Sequence, residues 1–363
     1  MNLIKNVVRL VGLVGLILMC VYVLPGHVPF YDKYIFYPLQ SLRIALLGWV
    51  PFSVGDVVYV AGGAALLYTV VRWVYYLVKF REHKKRLAVS VLDTVNAALF
   101  AYLFFIVGWG ANYSKRPLHE YWGMDSPVYK TREERRAADS AMLIAYNDFL
   151  VRRLNVFAPQ YRNLSLKEVN ARSKAFYQHY TDSKVKMHGL DVKPSMFGYF
   201  MERVAVDGYY NPFTGEGQVS RRLPGFVLPF VVSHEMAHQA GIAAEGDANL
   251  MAYALGTRSA DPSFNYSAYL NIWLYANSRL FRRDSVRAKQ FEAQLNKLTK
   301  AHLDTLEELS KKFDNEASRY STEFYDNYLK MQHQKEGIRS YGNVVTSAWL
   351  LELNRNAGVI PVP

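Results

Sequence analysis

Three long apolar stretches near the start constrain this chain more than any other feature: about Val7–Leu24, Val57–Val78 and Leu87–Gly110. A helix rises about 1.5 Å per residue and the hydrocarbon core of a bilayer is about 30 Å thick, so about 20 apolar residues suffice to cross it. Each stretch meets that length. Arg72 stands near the end of the second, where it can snorkel beside Trp73, Tyr75 and Tyr76. Leu24-Pro25-Gly26-His27 offers no small-residue cleavage site after the first stretch, so it reads as an anchor and not a signal peptide. A fourth stretch, Tyr34–Pro51, has Arg43 at its centre and Pro38 near its start, and reads as an interfacial or re-entrant segment.

Charge divides the chain in the same place. The first 110 residues hold ten Lys/Arg and four Asp/Glu, a net of +6. The rest hold 43 − 10 = 33 and 31 − 4 = 27, also +6, in the mixed pattern of a water-exposed domain. The expected organisation is therefore a transmembrane region over residues 1–110 and a folded domain over residues 111–363. Between the second and third stretches lies Lys79-Phe80-Arg81-Glu82-His83-Lys84-Lys85-Arg86, with five basic residues in eight. Such a loop stays in the cytoplasm. Three spans then carry residues 111–363 to the opposite face, which predicts a multi-pass membrane protein with an extracytoplasmic C-terminal domain. The basic run is a short hairpin pinned at the bilayer, so the expected partner is lipid and not nucleic acid. With Cys20 as the only cysteine, disulfide frameworks, cysteine zinc ribbons and iron–sulfur clusters are excluded.

Beyond residue 111 the pattern is mostly helical. Thr131-x-x-Glu134 and Ser165-x-x-Glu168 are capping boxes. A breaker-rich stretch from Gly208 to Val219 reads as turns with one or two short strands. Helices are expected over about Pro229–Ala240, Glu245–Leu255, from Asp261-Pro262 onward, Ser285–Phe313, Thr322–Gln334 and Tyr341–Leu353. The expected fold class is mainly α, with a small β element.

The chemistry lies in Val231-Val-Ser-His234-Glu235-Met-Ala-His238-Gln-Ala-Gly241, an H-E-x-x-H pattern inside an apolar helix. Residues i and i+4 share a helix face, so His234 and His238 can reach one Zn²⁺ while Glu235, one step round, acts as a base without ligating. The bland alternative is two surface histidines, but the flanking Phe230-Val-Val and Met236-Ala bury this helix, and a buried His-Glu-His face needs a compensating partner. Catalytic zinc takes a third protein ligand. Gly241 permits a sharp turn, and Glu245 and Asp247 on the next helix both stand in reach. Ala244 occupies the place of a third histidine, which excludes an all-histidine site of the H-E-x-x-H-x-x-G-x-x-H type.

Glu245-x-x-Ala248-Asn249 resembles the second signature of gluzincin metallopeptidases. The resemblance implies a zincin-like domain in which Glu245 ligates zinc and Asn249 orients a ligand histidine. Across nearly the whole chain, the sequence is similar to a bacterial family labelled domain of unknown function 3810. The matching pieces are Pro51-Phe-Ser-Val-Gly-Asp56, Asn211-Pro-Phe-Thr-Gly-Glu216, His234-Glu-Met-Ala-His-Gln239, Tyr266-Ser-x-Tyr269, Tyr328-Leu-Lys330 and Ser340-Tyr-Gly342. That resemblance supports the architecture, implies a bacterial inner-membrane protein with a periplasmic C-terminal domain, and supplies no reaction.

The expected activity is zinc-dependent hydrolysis of a protein or peptide substrate, with Glu235 as general base and the Asn211–Val219 stretch as an edge strand for the substrate. Tyr266, Tyr269, His302, Arg339 and Tyr341 are candidates for the oxyanion donor, and Glu216 for a substrate contact or a turn cap. The competing readings are a non-catalytic zinc-binding membrane sensor or envelope assembly factor, and a membrane-interaction protein without metal.

Overall fold

A computed structural model describes residues 2–124, 129–179, 189–204, 206–313 and 344–356. The chain is mainly helical with one three-stranded sheet. It divides into two compact units, Met1–Lys115 with Asn211–Glu216, and Arg116–Tyr210 with Gly217–Pro363.

Three helical segments of the first unit are long and apolar enough to cross a membrane. Helix α1 (Asn2–Val23) begins a helical run that continues through α2 (Tyr37–Leu47). The Tyr34–Pro51 stretch thus contributes an eleven-residue helix, about 16 Å long and too short to span alone. Helices α3 (Val54–Val78) and α4 (Phe80–Gly108) are the other two. Large apolar side chains such as Val11, Leu66, Leu67, Val71 and Phe100 face outward on them, as lipid requires and water disfavours. Polar bonds join the helices within. Asn6 donates to Asp93 at 2.7 Å, Asn96 to the Asn6 carbonyl at 3.0 Å, and Arg72 and Trp73 both to the Ser90 hydroxyl at 2.7 and 2.9 Å. Small and polar residues are the usual adhesive between helices in a medium as apolar as their own side chains.

Asn211–Glu216 is built into this unit. The Glu216 carboxylate accepts from the backbone N–H groups of Gly55 (2.6 Å) and Val54 (3.4 Å), and so caps the first turn of α3. Gln40 donates to the Gly215 carbonyl at 2.8 Å, and the Phe213 ring stacks on Phe104. The Asn211 side chain accepts from the N–H groups of Phe213 and Thr214 at 2.9 and 3.1 Å, which shapes the turn.

The second unit begins with α5 (Leu118–Tyr121), α6 (Arg132–Phe157) and α7 (Leu166–His179). Both capping boxes form: Glu134 N–H donates to Thr131 Oγ1 at 3.0 Å, and Glu168 N–H to Ser165 Oγ at 3.3 Å. Strand β1 (Val192–Pro194), α8 (Gly198–Arg203), β2 (Gly208–Asn211) and β3 (Glu216–Val219) follow. The sheet order is β1-β3-β2, with β1 parallel to β3 and Val192 opposite Gly217. This leaves β2 as an edge, whereas the strand within the Asn211–Val219 stretch expected to be the edge, β3, is the middle one, flanked by β1 and β2.

Helices α9 (Leu228–Gln239), α10 (Glu245–Gly256) and α11 (Pro262–Phe281) form the core. Every residue of α9 is buried, so its sequence is apolar all round except where chemistry demands otherwise. The long helix expected over Ser285–Phe313 is two helices, α12 (Ser285–Ala293) and α13 (Lys297–Phe313). Asn155 explains the break: it donates to the Gln294 carbonyl at 2.9 Å and accepts from Asn296 N–H at 2.8 Å, while Asn296 caps α13 through Thr299 N–H at 2.8 Å. A tertiary clamp thus overrides a continuous apolar stripe. The described part ends with α14 (Val344–Asn356). The helix expected over Thr322–Gln334 lies outside the described residues.

Candidate metal centre

The site begins with how α9 stops. Gly241 takes φ +88°, a left-handed conformation that a Cβ would strain. The chain reverses there, and Ile242 N–H bonds back to the Ala237 carbonyl at 3.0 Å. Two consequences follow. The Ile242 carbonyl comes within 2.7 Å of His238 Nδ1, and α10 packs against α9 with Glu245 in its first turn.

His234, His238 and Glu245 converge, with one ligand atom from each lying within 4.8 Å of the others. Glu245 Oε2 is 3.2 Å from His234 Nε2, and Oε1 is 3.6 Å from His238 Nε2. The imidazoles stand nearly perpendicular, at 88° with centroids 4.6 Å apart. All three residues are buried.

Hydrogen bonding sets the tautomers. His238 Nδ1 faces a carbonyl, which only accepts, so Nδ1 carries the proton. His234 Nδ1 lies 2.8 Å from Asn249 Oδ1, which places its proton there too. Both Nε2 lone pairs then point at carboxylate lone pairs. Acceptors converging from three sides suit a cation between them, and two imidazoles with one carboxylate form a donor set that zinc takes. Without a cation, the site must hold protons instead. Burial holds His234 below its ordinary pKa. Burial also opposes charge on His238, but the facing Glu245 carboxylate outweighs it and lifts the pKa to about 9. Burial disfavours the Glu245 carboxylate as well, and the two histidines more than reverse this, holding it well below the carboxylate range.

Glu235 leaves α9 one step round. It is 3% exposed, and its Oε2 accepts no hydrogen bond. Burial, with Glu245 and Asp207 nearby, pushes its pKa up to about 8, against the opposing pull of His238. Two glycines make room for it: a Cβ on Gly208 would lie 2.6 Å from Glu235 Oε1, and one on Gly217 would lie 3.1 Å from Glu235 Cβ. The hairpin therefore packs its backbone on the acid.

Asp247 faces elsewhere. Its carboxylate accepts from Leu118 N–H at the start of α5, and burial raises its pKa to about 7. Tyr266 and His302 hydrogen-bond to each other at 2.8 Å, and the His302 ring stacks on Phe226 with Tyr161 at its edge. Tyr269 packs among Phe149, Phe157 and Tyr253. No hydrogen bond or ring contact of these three residues involves His234, Glu235, His238 or Glu245. Glu216 is the α3 cap described above. Arg339 and Tyr341 lie outside the described residues.

Sequence reasoning missed three groups. The Tyr275 phenol on α11 lies beside the Asn249 amide, and burial with the Asp207 and Glu245 charges raises its pKa. Tyr210 on β2 sets its ring 6.3 Å from that of His238. Asp207, just before β2, feels the same field, and its pKa is raised to about 6 by the protein packed round it. The glycine-flanked hairpin hinted at close backbone approach for the last two. Nothing local marked Tyr275.

Residues 31–349 match a family described as Protein of unknown function (DUF3810). The chain belongs to this family. No curated protein and no solved structure matches it. In this DUF3810 protein, then, the chemistry has to be read from the site itself.

Proposed function

We propose that this DUF3810 protein is a membrane-anchored zinc peptidase. The observation that carries the reading is the buried convergence of His234, His238 and Glu245 beside an unpartnered Glu235 carboxylate. His234, His238 and Glu245 would hold zinc, which would supply Lewis acidity and lower the pKa of water to about 7. Glu235 takes the proton of the attacking water and returns it to the leaving amine. The Tyr275 hydroxyl donates to the oxygen that gains charge on the scissile carbonyl. Asn249 and the Ile242 carbonyl hold the two imidazoles in the tautomer that leaves Nε2 free. The edge strand β2, with Gly208 on Glu235 and Tyr210 near His238, takes an extended peptide by backbone hydrogen bonds.

We further infer that the three apolar helices cross the inner membrane and that residues 111–363 are periplasmic, from the basic loop Lys79–Arg86 and the odd number of spans. A reporter fused after Pro363 is expected to be active only when it matures outside the cytoplasm.

Metal analysis and turnover test the reading together. Wild type is expected to hold one zinc and to cut envelope proteins that accumulate uncut in a Glu235→Gln strain. Glu235→Gln keeps the metal and loses hydrolysis. Tyr275→Phe keeps the metal and lowers kcat by about 10²–10³-fold. Stoichiometric zinc with no turnover, unchanged by Glu235→Gln, would replace the peptidase with a zinc-binding sensor or assembly factor.

A further inference from the structure

We propose that the Met196–Arg203 segment rests on the bilayer surface and binds anionic lipid, which gives the second unit a membrane contact of its own. Crossing of the membrane by the apolar helices is the premise; zinc and hydrolysis are not. The segment reads Met196-Phe-Gly-Tyr-Phe-Met-Glu-Arg203, and it is fixed from beneath. Ser195 N–H donates to the Val219 carbonyl at 2.9 Å, Phe197 N–H donates to the Ser195 hydroxyl at 3.0 Å, and the Ser195 and Tyr209 hydroxyls are 2.9 Å apart. Met201, 2% exposed, anchors α8 in the core. Water favours the same burial for its apolar neighbours. Yet Met196, Tyr199 and Phe200 are 58%, 58% and 63% exposed, all within five residues. Other large apolar side chains exposed on the second unit, such as Val156, Val286 and Leu353, are scattered singly, as on any protein surface.

Charge and connectivity select the occupant. Arg203 donates to the Tyr199 hydroxyl and sets its guanidinium 4.9 Å from the ring centre. Arg222 lies 6.0 Å from the same ring and pairs with Glu202 at 2.8 Å. Arg221 is exposed and makes no ion pair among the described residues. Against Glu202 and Asp207, whose carbonyl accepts from Ser220 N–H, these three arginines leave a net of +1. Aromatic rings with a cationic rim suit the headgroup layer, where the rings reach the acyl boundary and the cations meet lipid phosphates. The bilayer is also close in the chain. Glu216, built into the membrane unit, stands only four residues before Ser220, and a short tether raises the effective concentration of the surface. A substrate pocket fits less well. Successive strand residues face opposite sides; Tyr210 sets its ring near His238, whereas Tyr209 reaches Ser195. The segment is thus tied to the side of β2 that faces away from the metal ligands.

The test uses full-length protein in lipid nanodiscs of phosphatidylcholine, with or without phosphatidylglycerol. On a Cys20→Ser background, Phe200→Cys carries an environment-sensitive dye, which is challenged with spin-labelled lipid and with iodide in the water phase. Spin-labelled lipid is expected to quench the dye, at least about twofold more strongly with phosphatidylglycerol, while iodide is excluded. Arg221→Glu takes the rim from +1 to −1 and should abolish that gain. A dye at Met196→Cys should respond alike, which separates contact of the whole segment from an effect of replacing Phe200. Iodide access without lipid quenching overturns the proposal, as does equal quenching in the two lipids or a gain that survives Arg221→Glu. Exclusion of iodide without lipid quenching would mean that protein, such as a second copy, covers the segment, and overturns it as well.

Discussion

Replacing Asn249 with alanine removes one hydrogen bond, and its consequence can be worked through in numbers. The bond spans 2.8 Å between Asn249 Oδ1 and His234 Nδ1, and both residues are at least nine-tenths buried. Losing it leaves the His234 Nδ1–H without an acceptor, a cost of about 1–3 kcal/mol. It also frees the ring to turn and to exchange tautomers, which typically costs about 10–100-fold in metal affinity. At about 1.4 kcal/mol per tenfold, that is about 1.4–2.8 kcal/mol, in agreement with the hydrogen-bond figure. Ligand binding adds to stability by mass action, so the zinc-dependent part of the stability falls by the same amount. For a unit of this size the zinc-induced rise in Tm should shrink by about 3–10 °C. The assay is chelator competition for zinc affinity, with melting curves recorded with and without zinc. Asn249→Asp should restore both, because a carboxylate accepts the same bond. The His238 side offers an internal contrast, since its acceptor is the Ile242 carbonyl, which no side-chain substitution removes. If Asn249→Ala binds zinc as tightly as wild type, or lowers Tm equally with and without metal, Asn249 supports packing and not the metal.

Three further outcomes follow from other contacts. Gly208→Ala would place a Cβ 2.6 Å from Glu235 Oε1 and 2.9 Å from the Gln218 carbonyl; zinc should be retained while turnover drops about 10²-fold, as a shift of about 1 Å in a catalytic group can do, and wild-type turnover would refute the packing. Glu245→Ala should abolish stoichiometric zinc while Asp247→Ala keeps it, because Asp247 faces the Leu118 N–H; metal analysis showing the reverse would reassign the ligand. Burial holds His302 below its ordinary value of 6.5, so the unfolded chain binds more protons in the window below 6.5 and stability should fall as pH is lowered through it. His302→Gln should flatten that fall in melting curves recorded between about pH 7 and pH 5, and an unchanged slope would mean that His302 does not contribute it.

Much of this protein was legible locally. An apolar run long enough for a bilayer needs no partner to be recognised, because lipid sets its length and composition. The i, i+4 spacing of His234 and His238 follows from helix geometry alone, and Gly241 announces the turn that brings the next helix back. Tertiary structure settled what depends on the phase of one helix against another. Glu245 and Asp247 are two residues apart on α10, and the rotation of that helix turns one to the histidines and the other to α5. The same dependence hid Tyr275, whose relevance lies in the face α11 presents to Asn249. It also sent Tyr266 and His302 into an aromatic cluster of their own. The apparent single helix over Ser285–Phe313 broke because Asn155, from a distant helix, bonds to both sides of the gap. Glu216 sits in a soluble-looking hairpin, yet it caps α3 because that helix starts with backbone N–H groups that need an acceptor. Periodicity and spacing record only what a segment can do alone. Which acid meets which histidine, and which loop feeds which helix end, depends on contacts between segments far apart in the chain.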